Sequence, residues 1–491
     1  MLTAWISDTN KKGELPMLLE KMKVLSVAEV SKIHEASVKI LEEVGIKIFN
    51  EKTLDMLEQG GAIVDRETMT AKFSAKLIDD CIKSVPKQFV LHDRYGKEKL
   101  IIGDRKPKLA AGHNAVFMVD YKTNERRAGK VRDVEEFAMI CNQLQDIDIV
   151  GVPLSPQDVP MRGTLLYAVR ALYQNTDKPL YFSTDLCAAN HAIIEMMKAT
   201  AKDGDAAKYP NAISQLSPTS PLFWEGDVAD AVVDTAKSGI PMAILPEPMS
   251  GVTAPYSVAG LLTIHNTETL SGILIAQIAA KGTPMVYASS WTTYDMRHTL
   301  AIIGSPETTL LRAAGCQMAD YYGIPAHTTA PNTDVNGLDQ QLAWEKVLSS
   351  LFSVAAGNDI VMNSGMFACG LSISLEQLVI DDEMNGFIRR LAKGIDVTDE
   401  SIDFDSIKKI GPGPGDTYFE EDLTFENLRS GEFHQYRCAN SPMYDSWMAA
   451  GCPSVVERAH EKVDEYIANG GADPLEKSVQ EKLDAIISDY E

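Results

Sequence analysis

Seven short apolar runs, separated by segments of helical pattern, constrain this chain more than any other feature. They lie at 147–155 (IDIVGVPLS), 179–185 (PLYFSTD), 211–218 (NAISQLSP), 240–248 (IPMAILPEP), 283–290 (TPMVYASS), 324–331 (IPAHTTAP) and 359–366 (DIVMNSGM). Between them, 161–174, 227–237, 305–322 and 340–355 place apolar residues at helical spacing. A strand followed by a helix and another strand returns through a crossover, which makes parallel βα units. Seven clear units and one less obvious unit fit an α/β chain folded as a (β/α)8 TIM barrel. An open α/β sheet is the alternative. The barrel is favoured because no GxGxxG loop follows any run, and because polar and aromatic residues gather just past the strand ends, where barrels carry their sites.

The flanks read differently. Residues 1–130 are expected to form an N-terminal α/β extension that opens on a polar arm over 1–25. From 26 to 58 the spacing is helical: Val27, Val30, Ile33, Ala36, Ile40, Leu41 and Val44 share a face, with Gly45 as the stop. Short strands broken by turns follow at 90–120. The barrel is expected over 131–395. Residues 396–491 begin with Gly- and Pro-punctuated chain (410–433), end in an acidic helical stretch (454–490), and are expected to wrap the barrel as a C-terminal helical segment.

Charge and cysteine usage narrow the function. Lys and Arg number 46 against 69 Asp and Glu, a net charge of −23. Such a chain repels phosphate backbones and anionic bilayers, so neither nucleic acid nor membrane is expected as a partner. The 7 Cys residues form no CxxC pair and no zinc spacing, which is reduced, intracellular usage. No run reaches the ~18 apolar residues of a membrane span. The first residues lack a basic region followed by an apolar one. A cytoplasmic protein is expected.

The strand ends bring together Ser183-Thr-Asp185, Ser217–Ser220, the 289–297 stretch, 327–334 and 363–367. Hydroxyls, small residues and aromatics dominate. There is no His set for a metal, no GxSxG elbow and no Lys placed for a Schiff base, so a cofactor is expected to supply the reactivity. The loop EPMSGVTAPYSVAG (247–260) carries one charge, Glu247, and is otherwise Gly, Pro, Ser, Ala and apolar residues. It suits a floor for a large flat group; ordinary turn chemistry is the other explanation.

Stretches along the whole chain carry a resemblance. They include ILEEVGIKI (40–48), LHDRYGKEKLIIGD (91–104), PLSPQDVP (153–160), SPLFWEGD (220–227), PMSGVTAPYSVAG (248–260), NTETLSGILIAQ (266–277), DMRHTLAIIGSPE (295–307) and AAGNDIVMNSGMFACGLSISLEQLVIDDEM (355–384). The chain resembles the trimethylamine methyltransferase family, corrinoid-dependent methyltransferases that include betaine-demethylating enzymes. The resemblance implies a barrel whose mouth meets a corrinoid (a cobamide) held by a separate cognate corrinoid protein. Met249, Ser250, Gly251, Thr253 and Ala254 would then lie against the corrin face. Founding members carry pyrrolysine; matched by eye, Gln340 falls at or within a residue of that position. This departure points from trimethylamine towards a quaternary amine such as glycine betaine, proline betaine, carnitine or γ-butyrobetaine. A second departure is the stretch after GPG, which lacks the His-containing pattern common in the family.

No residue is expected to act as acid, base or nucleophile; the site positions its substrate. Tyr95, Phe117, Tyr256, Trp291 and Phe367 are the candidates for an aromatic cage around the ammonium, with core packing as the plainer role of each. His113, Arg297, His327 and Asn332 are the candidate donors to a substrate carboxylate. Glu247, Glu268 and Asp334 could complement the positive nitrogen, although Glu268 could instead pair with Arg297. No tightly bound metal is expected, and a homo-oligomer is. Demethylation of a tertiary amine without pyrrolysine, and a non-catalytic betaine-binding barrel, are the alternative functions.

Overall fold

The computed structural model describes residues 22–120, 123–184, 186–413, 415–439 and 442–491. Residues 1–21 of the expected arm, and Asp185 of the expected mouth, lie outside the described residues. Eight parallel strands close into a barrel: β1 (Lys108–Ala111), β2 (Ile149–Gly151), β3 (Leu180–Ser183), β4 (Ala212–Leu216), β5 (Met242–Ile244), β6 (Met285–Ser289), β7 (Ala326–Thr329) and β8 (Ile360–Ser364). Closure comes from β8 on β1, with Ile360 opposite Lys108 and Val361 opposite Leu109. Each of the seven apolar runs contains one strand. The eighth strand, β1, lies inside the stretch assigned to the extension, so the barrel begins at Lys108 rather than at 131. Its sequence, KLAA, is too short and too polar at its start to show an apolar run. The Lys108 ammonium is buried by pairing with Asp104 and donating to the Lys106 carbonyl.

A helix follows every strand: Val131–Gln143, Thr164–Asn175, Cys187–Thr200, Gly226–Lys237, Val258–Ala279, Pro306–Tyr322, Gln340–Ala356 and Leu375–Lys393. Local signals set their ends. The Ser305 hydroxyl accepts from the Thr308 N–H ahead of Pro306, and the Asp339 carboxylate accepts from the Leu342 N–H. Gly323 and Gly357 end two of these helices in the left-handed conformation.

The strands alternate between two buried faces. Ala110, Ile149, Tyr181, Ile213, Ala243, Val286, Ile360 and Met362 share the barrel interior. Phe182, Leu216, Ile244, Tyr287 and Val361 pack outward against the helices. Parallel strands covered on both sides therefore read as nearly continuous apolar runs. Gly151 is where the interior has no room: a Cβ there would lie 2.1 Å from Met362 Cε and 2.4 Å from the Gly112 carbonyl oxygen.

The bottom of the barrel is plugged. A hairpin of Phe89–His92 and Glu98–Ile102 drives Leu91 and Ile102, both fully buried, among the inward side chains. Burying two such side chains contributes ~3–6 kcal/mol. Most polar groups described at this end are paired, although the buried His92 Nδ1 has no partner within the protein. The Asp359 carboxylate, just before β8, accepts from the N–H groups of Gly103 (3.0 Å), Arg105 (3.2 Å) and Ala326 (2.9 Å). The His92 N–H donates to the Pro210 carbonyl, ahead of β4.

The flanking segments cover the outside. Helix Val27–Glu43, with Ser26 and Glu29 in a capping box, packs on Val258–Ala279. Its chain turns at Gly45, where φ is +81° and a Cβ would meet the Ala71 carbonyl at 2.6 Å. At the other end, Val455–Asn469 packs on Leu375–Lys393 and Val131–Gln143, and Lys477–Tyr490 packs on Cys187–Thr200 and Thr164–Asn175. This is the expected helical wrap. Among the described residues no helix is long and apolar enough to cross a membrane.

Candidate active site

The upper half of the barrel axis is polar. Tyr181 of β3 and His327 of β7 project inward and stack face to face, with ring centroids 5.1 Å apart and planes 9° from parallel. Above them Gln215 of β4 acts as a hub. Its Oε1 accepts from the Tyr181 hydroxyl at 2.9 Å and lies 2.9 Å from His113 Nε2, while its Nε2 donates to the Ser183 hydroxyl at 3.2 Å. An amide oxygen only accepts, so His113 Nε2 carries a proton. His113 reaches this point because Gly112 takes φ +75° and turns the chain over Pro153 and the Gly151 carbonyl.

His327 differs from its neighbours. It is completely buried, yet neither ring nitrogen has a hydrogen-bond partner within the protein. A buried donor or acceptor left unpaired costs ~1–3 kcal/mol. Burial first, and His113 second, hold its pKa well below the usual histidine range, so the ring is neutral. Burial, with a further push from the charge of Glu247, raises the Tyr181 phenol well above its ordinary value. Glu247 itself is exposed, three residues beyond β5 and in step with inward Ala243 and Leu245. A gradient results: neutral polar groups deep on the axis, one carboxylate at the rim. Among the described residues no cluster of three or more His, Cys, Asp or Glu side chains is arranged to hold a metal.

The rim loop folds on itself. The Met249 carbonyl accepts from the N–H groups of Val252, Thr253 and Ala254, and the Met249 N–H donates to the Thr253 hydroxyl. Gly251 adopts φ +77°, where a Cβ would strike Met296 at 2.3 Å and Tyr256 at 2.9 Å. Ser250 ties this loop to the hairpin Thr293–Asp295/Leu300–Ile302: its hydroxyl accepts from the Tyr294 N–H. The rim presents apolar side chains from several βα loops, among them Val116, Leu186, Val252, Met296 and Leu371.

The structure places the expected site residues as follows. His113 and His327 come together on the axis, and Met249, Ser250, Gly251, Thr253, Ala254 and Tyr256 stand at the rim. The others do not converge. Tyr95 lies in the turn of the plug hairpin, at the opposite end of the barrel, beneath the Arg94 guanidinium. Trp291 turns outward and stacks on His265 with centroids 4.1 Å apart, within the helix layer. Phe367 packs with Leu342 and Ala368. Phe117 sits in a small sheet with the Arg126 guanidinium 4.2 Å above its ring. Glu268, pushed up to about 7 by burial, accepts from the Ser220 hydroxyl and the Leu222 N–H instead of facing a cation or Arg297. Asp334 accepts from the N–H groups of Ile303 and Gly304 and so anchors a loop. Arg297 is exposed at the hairpin tip. Asn332 bridges β7 and β8 through Thr329 and Asn363. Gln340 is the exposed first residue of the helix that follows β7.

Two residues of the cluster are absent from the sequence-based set: Tyr181 and Gln215. Both carried a signal. Each is a polar-tipped side chain inside an apolar strand run, two positions from another inward residue. A Gln in the middle of NAISQLSP has to find partners when buried.

Comparison with known proteins shows the family. Residues 7–490 match the trimethylamine methyltransferase (MTTB) family. A trimethylamine methyltransferase MttB of Desulfitobacterium hafniense (strain DSM 10664 / DCB-2) is 29% identical over 464 residues, covering 94% of this chain and 93% of that protein. A glycine betaine methyltransferase of Desulfitobacterium hafniense (strain Y51) is also 29% identical, over 476 residues, covering 96% and 98%. The crystal structure of the Methanosarcina barkeri monomethylamine methyltransferase (MtmB) aligns with a TM-score of 0.48 at 13% identity, over 90% of this chain and 93% of that one. With its closed eight-stranded barrel, and a family match running almost from end to end, the chain is a methyltransferase belonging to the trimethylamine methyltransferase (MTTB) family.

Proposed function

We propose that this methyltransferase moves a methyl group from a quaternary amine of the betaine class to the cobalt of a corrinoid carried by a separate protein. The observation that carries this reading is the neutrality of the axial cluster. His327 is kept unprotonated by burial, and the Tyr181 phenol is kept from ionising. Neither group suits a proton transfer timed to the loss of an amine. A tertiary amine stripped of a methyl group leaves as an amide anion unless it is protonated. A quaternary ammonium needs no such help: the C–N bond breaks, its electron pair stays on nitrogen, and a neutral amine departs.

The cobalt, when presented, supplies the electron pair for the new bond to carbon. The chain's own residues bind, orient and exclude water. Glu247 complements the ammonium at the rim. The Tyr181–His327 stack closes the axis below. The loop Met249–Ala254, with no charged side chain and a glycine that keeps it low, suits contact with a flat macrocycle; Val116, Leu186, Met296 and Leu371 extend that apolar ring. Holding the methyl carbon in line with its acceptor can lower the barrier by ~7–11 kcal/mol.

The test is a spectrophotometric assay with chemically reduced cobalamin as acceptor and a panel of N-methylated compounds. Methylation of the cobalamin by a betaine and not by trimethylamine supports the reading. Transfer from trimethylamine with no transfer from any betaine would overturn it.

A further inference from the structure

The axial cluster is a polarised pair of subsites whose lower member is unmatched by the protein itself. The rim offers a carboxylate, Glu247. Deeper down, His113, Ser183 and Gln215 satisfy one another in part, whereas His327 offers two ring nitrogens with no partner. The Asn363 side-chain oxygen (Oδ1), at the top of β8, is likewise buried and unpaired. Packing alone does not call for an imidazole here, since a phenylalanine would stack on Tyr181 equally well.

We infer that His327 is a specificity-determining residue that receives the carboxylate tail of the substrate, so that the betaine stands tail-down in the barrel with its ammonium beside Glu247. This inference rests on the quaternary-amine reading above and gives it a direction. Two observations independent of that reading support it. The depth order is fixed by the strands: Tyr181 and His327 lie within β3 and β7, Gln215 is the penultimate residue of β4, Ser183 ends β3, and Glu247 lies beyond β5. The acceptor can approach only from the rim, because the plug hairpin fills the other end. A methyl group offered to that acceptor must therefore be on the rim side, and the rest of the molecule must point down. The imidazole N–H of His327 donates to the incoming carboxylate. Burial, with His113 second, keeps the ring neutral, and its N–H donating to a charged carboxylate makes the contact charge-assisted through the acceptor without protonating the ring.

The experiment compares kcat/KM for methyl transfer to reduced cobalamin from γ-butyrobetaine and glycine betaine (carboxylate tails), choline (hydroxyl tail) and tetramethylammonium (no tail). It uses the full chain as wild type, His327→Phe, His327→Asn and Glu247→Gln. Wild type is expected to favour a carboxylate tail over choline and tetramethylammonium. His327→Phe, which keeps a ring on Tyr181, is expected to cut the ratio of tailed to tail-less kcat/KM by ~10-fold or more, mostly through KM, as a site loses discrimination when its hydrogen-bonding group is removed. His327→Asn restores part of that ratio and stands in if the Phe variant does not fold. Glu247→Gln lowers kcat/KM for every ammonium and leaves the ratio unchanged. An unchanged ratio in both His327 variants, or a wild type that prefers choline, overturns the inference while leaving the quaternary-amine reading intact. A wild type that demethylates no ammonium at all overturns both.

Discussion

The two ends of the barrel are built on opposite principles. At the bottom, every charge invoked has a partner: Asp359 holds three backbone N–H groups, Lys108 pairs with Asp104, and Lys99 lies 3.3 Å from Asp93. Leu91 and Ile102 fill the axis. At the top, the axis holds Tyr181, Gln215, His113 and His327, and the last has no partner. A satisfied polar group stabilises one fold, whereas a buried unsatisfied one costs stability. The difference teaches that the lower end is maintained for stability and the upper end at some cost to it.

The contrast can be broken at either end. Leu91→Ala, in the plug, is expected to destabilise the protein by ~2–5 kcal/mol in urea unfolding, with transfer activity per folded molecule retained. Behind the mouth, His265 is fully buried against Trp291, and burial holds its pKa at about 3. The folded ring is neutral, so on acidification the unfolded chain takes up the proton first. Stability is complete above about pH 6.5 and falls as pH drops from there towards 3, by ~1.4 kcal/mol per unit. Unfolding curves at successive pH values check this, and His265→Gln should flatten the slope. At the top, Gln215→Leu strips the Tyr181 hydroxyl and His113 of their shared acceptor. A loss of ~1–2 kcal/mol is expected, with a fall in activity larger than that loss explains. The smallest effect belongs to Gln340→Ala: an exposed helix-start residue should change neither melting temperature nor kcat/KM beyond about twofold. A complete loss of activity there would move the site away from the axis.

Much of the architecture was legible because the barrel repeats one unit. Each of the seven apolar runs holds a strand, and the helices over 305–322 and 340–355 begin and end within a residue of the expected bounds. Gly45 ends the first helix, as expected. The site was less legible, for a physical reason. Position just after a strand end does not say which way a side chain turns. Trp291 and Phe367 rotate into packed layers, and Tyr95 follows a strand that is not part of the barrel at all. The informative pattern was parity. In β3 and β4 the inward set is Tyr181, Ser183, Ile213 and Gln215, but strands buried on both faces hide that alternation beneath a continuous apolar run. Lys108, buried by its pairing with Asp104, concealed the first strand in the same way.

The central claim is that the substrate's own positive nitrogen makes its methyl group ready to leave, so the barrel needs no proton donor. Its most direct test is the pH dependence of kcat for methyl transfer from a saturating betaine to reduced cobalamin. The expected result is a rate that stays level between about pH 6 and 9, because no ionisation of an essential acid falls in that range. A rate that falls steadily as a single group loses its proton would contradict the account.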